Sequence, residues 1–318
     1  MSQFFTFFVQ GVSRGAIYAL VALGFVVIFK ATHVLNFGQA ALMTIGALIT
    51  YTFNGGVAGQ FNGTFKPWTV SHLPWVVSLI VGVLVTALIA FAIEAVILSK
   101  FRDKPVFATI MATFGLAIIV QFAAGSVWGE DAMSLKEPIG IKSYTVGGVS
   151  ITLQSIVILL VALVVTTAFL LFFQKSKLGT AMRATAYDQE AAMAQGISAR
   201  KIFGVSWAIS GGLAALAAVL LSTGNGNTIS QPTLQLATFA AFPAIILGGV
   251  DSTNGAIVGG MVIGLAEQLM FGYQTDLNDL LNTHVFTNFH TVFPYVIMLG
   301  VLLVRPYGLF GTKEVRRV

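Results

Sequence analysis

Cysteine is absent from the 318 residues, which excludes disulfides, thiolate metal sites and cysteine nucleophiles. Charge is scarce: 9% of residues are charged, against about a quarter in soluble domains. No G-x-x-x-x-G-K-[ST] loop is present, so the chain does not bind ATP in that manner. The four histidines, His33, His72, His284 and His290, lack metal-ligand spacing, and no metal site is expected. H-E-x-x-H does not occur, and the one G-x-S-x-G match, Gly11-Val12-Ser13-Arg14-Gly15, lies inside the first long apolar segment and not at a strand-to-helix turn, so no motif supports an intramembrane hydrolase. Residues 1–8 carry no Lys or Arg, and no small-residue cleavage site follows a short apolar core. The first apolar stretch is therefore expected to stay in the mature protein.

What the chain has instead is apolar length. Hydrophobic residues make up 56% of it. A large soluble core could share that composition, but a continuous span of about 20 apolar residues matches the bilayer core. Residues 76–98 contain one charge, Glu94, and residues 106–128 and 151–173 contain none. The sequence reads as an all-α, polytopic integral membrane helix bundle. About eight or nine membrane segments are expected, near 7–29, 36–53, 75–98, 106–128, 151–173, 201–222, 235–250, 255–271 and 290–304. The second, seventh and eighth are short or glycine-rich, so some segments are expected to be re-entrant.

Alternating the sides groups the connections 30–35, 99–105, 174–200, 251–254 and 305–318, which together with Lys201 at the start of the next segment hold thirteen of the 17 basic residues. Lys66, Lys136 and Lys142 fall on the other side, and Arg14 within the first segment. Basic loops stay cytoplasmic, which predicts an external N-terminus and a cytoplasmic C-terminus. The net charge of +5 is thus an orientation signal and says little about nucleic acid, which is not expected as a partner. Trp68, Trp75, Trp128 and Tyr144 flank the outer connections, where amphipathic rings favour the interface with membrane lipid. Small residues step by four at Gly11, Gly15 and Ala19, then at Gly255 with Gly259 and Gly260 with Gly264. That spacing lets helices approach closely in lipid.

Two polar, glycine-marked breaks interrupt the apolar runs. The first, Thr32-His33-Val34-Leu35-Asn36-Phe37-Gly38-Gln39, is either a cytoplasmic turn with Asn36 as a helix N-cap or a broken helix lining a transport path. Asn36 and Gln39 are its candidate path residues. The second, over 243–255, starts at Pro243, ends a short segment at Gly248-Gly249 and offers Asp251 or Ser252 as the next cap. A half-penetrating hairpin is expected there, with Gly248 and Gly249 on the path and the two breaks meeting near the pore. Thr109, Thr113 and Gln121 share one face of the fourth segment, where they suit an uncharged polar path or ties between helices. Thr113 and Gln121 join the path candidates. Glu94, Glu267 and Arg14, the ionisable groups inside segments, read as structural. Glu94 lies near Lys100 at a segment end, and Arg14 is close enough to its own end to snorkel.

Residues 178–201 contain no strongly apolar run. Within them, 180–195 are alanine-rich and free of proline and glycine, so one helix is expected, capped by Gly196. Met182, Ala186, Gln189 and Met193 would lie on one face. Few Lys or Arg flank the polar face, so docking in a partner's groove suits this helix better than lying on acidic lipid.

From Gly11 to Phe310 the chain resembles the permease subunits of branched-chain amino acid ABC transporters. The resemblance is carried by Gly15-Ala16-Ile17-Tyr18-Ala19-Leu20-Val21-Ala22-Leu23-Gly24, by Leu35-Asn36-Phe37, and by Ala112-Thr113-Phe114-Gly115-Leu116 with Gln121. Leu247-Gly248-Gly249 with Gly255-Ala256 and Gly259-Gly260, then Arg305-Pro306-Tyr307-Gly308-Leu309-Phe310, complete it. Arg183-Ala184-Thr185-Ala186-Tyr187-Asp188 with Ala192 and Gly196-Ile197 is similar to the family's coupling segment. The resemblance implies one permease domain over 1–318 in a bacterial inner membrane, not itself an enzyme. Its coupling helix would lie near 180–196, with Arg183, Ala186, Asp188, Ala192 and Gly196 as ATPase contacts. It also implies two cytoplasmic ATPase subunits that use ATP and magnesium, a second permease subunit, identical or different, and an external solute-binding protein. No cofactor is expected on the chain itself. Relatives often carry Glu where this chain has Ala41, within Gly38-Gln39-Ala40-Ala41. Possible solutes therefore extend from branched-chain amino acids to urea, short amides and aromatic acids. The alternative is a self-sufficient channel or ion-coupled carrier.

Overall fold

The structure is a computed structural model, and it describes residues 2–55, 73–102, 104–135, 142–223 and 228–311. Lys66, Trp68, His72, Lys136, Lys313, Arg316 and Arg317 lie outside the described residues. Among the described residues the helices are α1 (Ser2–Thr32), α2 (Gln39–Asn54), α3 (Trp75–Val96), α4 (Val106–Trp128), α5 (Leu153–Lys175) and α6 (Lys177–Tyr187). They continue with α7 (Gln189–Ala194), α8 (Ala199–Leu221), α9 (Gln231–Gly248), α10 (Thr253–Leu281) and α11 (Phe293–Val304). Short 3-10 turns cover Leu98–Phe101 and Phe289–Thr291, and β1 (Ser143–Val146) pairs with β2 (Val149–Thr152) as an antiparallel hairpin. Among the described residues, six helical runs are long and apolar enough to cross a bilayer: α1, Trp75–Phe101, α4, α5, α8 and α10, with α11 as a shorter apolar helix. The chain is an all-α, multi-pass membrane protein.

Several boundaries move from their sequence positions for local reasons. α10 continues past 271 because no proline or glycine follows Gly272 until Asn282, which takes a left-handed φ of 47° and caps it. α9 passes through Pro243 and starts four residues earlier than expected. Its 18 residues rise about 27 Å at 1.5 Å each, so its length does not demand a half-penetrating hairpin.

The helices pack in two units. One comprises Met1–Val26, Ile141–Val164 and Ala237–Val318. In it, α1 and α10 approach backbone to backbone. A Cβ on Gly260 would collide with the Ala19 backbone, one on Gly264 with Gly15, and one on Gly15 would lie 2.8 Å from Met261 Cα. The stripe of Gly11, Gly15 and Ala19 and that of Gly260 with Gly264 thus form one seam. α9 meets α10 in the same way, Gly248 against Gly255 and Ala244 against Gly259. Ser252 caps α10 by accepting the Gly255 N–H at 3.0 Å. The chain end then closes over this turn. Leu309 N–H donates to the Leu247 carbonyl at 2.8 Å and Phe310 N–H to the Gly248 carbonyl at 3.0 Å.

The other unit comprises Val27–Gly140 and Val165–Leu236. Here α2 packs against α3, α4 and α8, and 13 of its 16 residues are buried, so this short helix lies among protein and not in lipid. A Cβ on Gly46 would lie 2.5 Å from Ala215 Cα, and one on Gly211 would lie 2.6 Å from Ala90 Cβ. Thr44, Thr50, Thr86 and Ser206 each donate to the carbonyl four residues earlier, which satisfies a hydroxyl without a partner from another helix. α4 leaves Phe107, Ile118, Ile119 and Phe122 exposed, as a lipid-facing helix should.

The α1–α10 seam generates a stability prediction. Gly260→Ala is expected to destabilise the chain by about 1–3 kcal/mol, lowering the thermal unfolding midpoint in detergent. Gly300→Ala, whose Cβ would meet nothing within 4 Å, should raise the midpoint slightly because alanine is the better helix former. The same midpoint for both variants would remove the seam.

Candidate functional site

The first break is built by side chains that replace helical hydrogen bonds. α1 stops where His33 adopts a left-handed φ of 55°. Thr32 Oγ1 donates to the Ile28 carbonyl at 2.9 Å and accepts the Val34 N–H at 3.3 Å. Asn36 is wholly buried; its Oδ1 accepts the Gly38 N–H at 2.8 Å and its Nδ2 donates to Gln39 Oε1 at 3.4 Å. Asn36 is therefore not the cap of α2. Gly38 holds that position without a side-chain bond, while Asn36 folds onto the backbone two residues ahead, an Asx turn.

Thr113 from α4 closes the break from one side, its Oγ1 accepting the Phe37 N–H at 3.3 Å. The Phe37 and Phe114 rings stack at 4.3 Å. On α8, Ser210 donates to Gln39 Oε1 at 2.9 Å. Asn36, Gln39 and Thr113 thus form one buried polar cluster, completed by Ser210, which sequence reasoning missed. Its one signal in the sequence is the four-residue step from Ser206 in an otherwise apolar helix. Gln39 Nε2 has no hydrogen-bond partner among the described residues.

A cavity of about 700 Å³ lies in the same unit, with Asn36, Thr109 and Thr113 in its wall. That volume is within the range of about 300–1,000 Å³ usual for small-molecule sites. Its charged lining residues are Glu94, Arg102, Lys104 and Arg200; Glu94, near the end of α3, pairs with the Arg102 guanidinium. The Arg102 guanidinium also lies 5.0 Å from the Phe203 ring centre. Lys100 was the neighbour expected from sequence, but the 3-10 turn over Leu98–Phe101 brings residue 102 back to the carboxylate. Gln189, Met193 and Gly196 line the cavity as well.

Gln121 stands apart from this group. It lines a second depression of about 460 Å³ with Glu130 and Gln231. Gly248 and Gly249 belong to the other unit, where backbone packing and a φ of 104° at Gly249 account for glycine.

The stretch over 180–195 is two helices and not one. Asp188 leaves the helical region at φ −153°, ψ 107°, and its Oδ1 accepts the Ala191 N–H at 2.9 Å to cap α7. A local aspartate cap outweighs the helix propensity of the surrounding alanines. The stripe of Met182, Ala186, Gln189 and Met193 is therefore interrupted. Met182, Thr185 and Ala192 are buried, whereas Tyr187, Asp188, Gln189 and Met193 are exposed. Arg183 turns back onto the end of α5, donating to the Phe173 and Gln174 carbonyls and lying over the Phe173 ring. Its place is that of an anchor for α6. Gly196 ends the segment at φ 84°, as a C-terminal glycine should.

In the first unit, Arg14 and Glu267 form an ion pair at 2.9 Å, so Arg14 does not merely snorkel. Tyr18 links them, its hydroxyl donating to Glu267 Oε2 at 2.6 Å and accepting from Arg14 Nε at 3.1 Å.

An all-α bundle with a buried polar break beside a solute-sized cavity suits a membrane transport protein. Residues 7–302 match the sequence profile of the family described as branched-chain amino acid transport system / permease component, and the chain belongs to that family. It is 28% identical to the high-affinity branched-chain amino acid transport system permease protein LivH of Escherichia coli (strain K12), with 100% of both chains covered. Similarity to the corresponding permease protein BraD of Pseudomonas aeruginosa (strain PAO1) is 28%, over 98% of this chain and 96% of the relative. The nucleoside ABC transporter permease protein NupC of Lactococcus lactis subsp. cremoris (strain MG1363) is 25% identical over 74% of this chain and 77% of its own length.

Two predictions follow from the buried polar groups. Removing Arg14 strands a Glu267 side chain that is 6% exposed, whereas removing Glu267 leaves an Arg14 side chain that is 41% exposed. Arg14→Gln should therefore destabilise more than Glu267→Gln, by up to about 3–5 kcal/mol for a stranded charge; thermal melts in the reverse order would contradict this. Asn36→Ala leaves the Gly38 N–H unmet and should cost about 1–3 kcal/mol while reducing solute uptake by the assembled transporter. An unchanged melt with full uptake would show that the break does not need Asn36.

Proposed function

We propose that the chain is the membrane permease subunit of an ATP-driven importer for branched-chain amino acids or closely related small solutes. The observation that carries this reading is full-length similarity to two relatives described as high-affinity branched-chain amino acid permeases. The α6–α7 segment supports docking of an ATPase. It is polar, lies between the apolar helices α5 and α8, and exposes Tyr187 at 96%. Arg183 fixes one part of it to α5 and Asp188 fixes the start of α7, so a push on the segment passes into helices that cross the bilayer. The distribution of Lys and Arg favours its cytoplasmic placement, with the N-terminus outside and the C-terminus inside.

In this reading two ATPase subunits seat on the segment, and ATP and magnesium stay with them. A second permease subunit, of the same or another chain, completes the path in the bacterial inner membrane, and an external binding protein delivers solute. A second reading, a permease for an uncharged or aromatic solute, draws on the buried Ala41 in place of the carboxylate frequent in relatives and on the nucleoside permease relative.

Reconstituted complexes test the coupling. Proline fixes φ near about −65°, which Gly196 at φ 84° does not tolerate. Gly196→Pro, or Asp188→Arg with its lost cap, should leave a folded transporter whose ATP hydrolysis no longer rises with solute. Normal solute-stimulated hydrolysis in both variants would remove docking at this segment. Uptake by the chain alone in liposomes would replace the importer with a self-sufficient carrier.

A further inference from the structure

We propose that Glu94 and Arg102 hold the charged head of a zwitterionic amino acid inside the cavity; this rests on the importer reading and names the place where the solute sits in this chain. Ion pairs in membrane proteins are usually structural ties, and such a tie should satisfy both partners. This one does not. Glu94 is 2% exposed, and among the described residues neither its Oε2 nor Arg102 Nε has a hydrogen-bond partner. A buried carboxylate oxygen without a donor costs free energy until something supplies one. An α-ammonium group is such a donor, and the unengaged guanidinium N–H suits an α-carboxylate. The pair thus offers both signs at a separation fixed by its own contact, which suits a zwitterion, while Lys104 and Arg200 add positive charge elsewhere in the wall.

The remaining wall suits the rest of such a molecule. Leu98, Phe203 and Trp207 supply apolar surface in the cavity that also contains the pair. A free amino acid with an aliphatic side chain needs charge at one end and apolar contact at the other. Met193 of α7 lies in the same wall, so the coupling segment borders the bound solute.

The absence of cysteine makes a direct test clean. Met193→Cys places one thiol on the cavity wall at a position that is 46% exposed in the parent chain, and its rate of modification by a small methanethiosulfonate reagent reports occupancy. L-Leucine should slow labelling of the chain in lipid nanodiscs. Isopentylamine, which lacks the carboxylate, and 4-methylpentanoate, which lacks the ammonium, should each need about tenfold higher concentrations for half-protection. Neutralising one member strands the other, so Glu94→Gln/Arg102→Gln is the informative variant: leucine should then protect no better than the two analogues. If that variant does not fold, the analogue series on the unaltered pair decides. ATP-driven leucine uptake is measured in parallel with the assembled transporter. Uptake without protection, equal protection by all three compounds, or a leucine preference that survives in the double variant overturns the site. Leucine-selective protection without uptake supports the site and removes the importer reading for leucine. Failure of both protection and uptake overturns both.

Discussion

Backbone groups buried inside a packed helix bundle have no water to bond, so each departure from a helix must be satisfied by the protein itself. That constraint explains why the two breaks look so different in composition. Between α1 and α2 the substitutes are side chains: Thr32, Asn36 and Thr113 take up the backbone N–H groups of Val34, Gly38 and Phe37. Between α9 and α10 the substitute is mostly backbone, because the Leu309 and Phe310 N–H groups bond directly to the Leu247 and Gly248 carbonyls. A side-chain solution needs amides and hydroxyls. A backbone solution needs glycine, and Gly248, Gly249, Gly255 and Gly308 stand where another chain segment would overlap a Cβ.

The same reasoning governs helix contact. In lipid, apolar side chains gain little by leaving one hydrocarbon surface for another, so helices associate through close packing. The α1–α10 seam of Gly15, Ala19, Gly260 and Gly264 and the contact of Gly46 with Ala215 meet that requirement in separate units. Hydroxyls inside these helices bond their own preceding turn; among the described residues the buried polar atoms without a partner are on Gln39, Trp75, Glu94, Arg102 and Ser222.

Features set by length and local period were legible in the sequence. The long apolar runs became helices, the four-residue glycine stripes became a seam, and Ser252 and Gly196 became caps. Features set by distant partners were not. Gln39 and Ser210 are 171 residues apart, and Tyr18 and Glu267 are 249 apart; a single sequence carries no record of such pairings. The break at Asp188 failed for another reason. Alanine propensity favours one continuous helix while an aspartate cap favours two, and the difference per residue is about 1 kcal/mol or less. The bonds of the Arg183 fork to the carbonyls at the end of α5 were likewise not legible in the sequence.

The geometry of α7 links the polar break to the proposed coupling. Its six residues lie between Asp188, where the backbone is extended, and Gly196, where φ is positive. Such a helix is attached at two points of changed backbone direction and is not a continuation of its neighbours. Gln189, Met193 and Gly196 line the cavity, while Tyr187 and Glu190 are exposed. A ligand shifts a conformational equilibrium only by its differential affinity for the two states. A solute in the cavity touches the wall that α7 supplies, so any displacement of α7 changes that solute's contacts directly. An ATPase seated on the exposed part of the segment and a solute in the cavity would therefore bias the same six-residue element, and no longer relay through the bundle is required for one to sense the other.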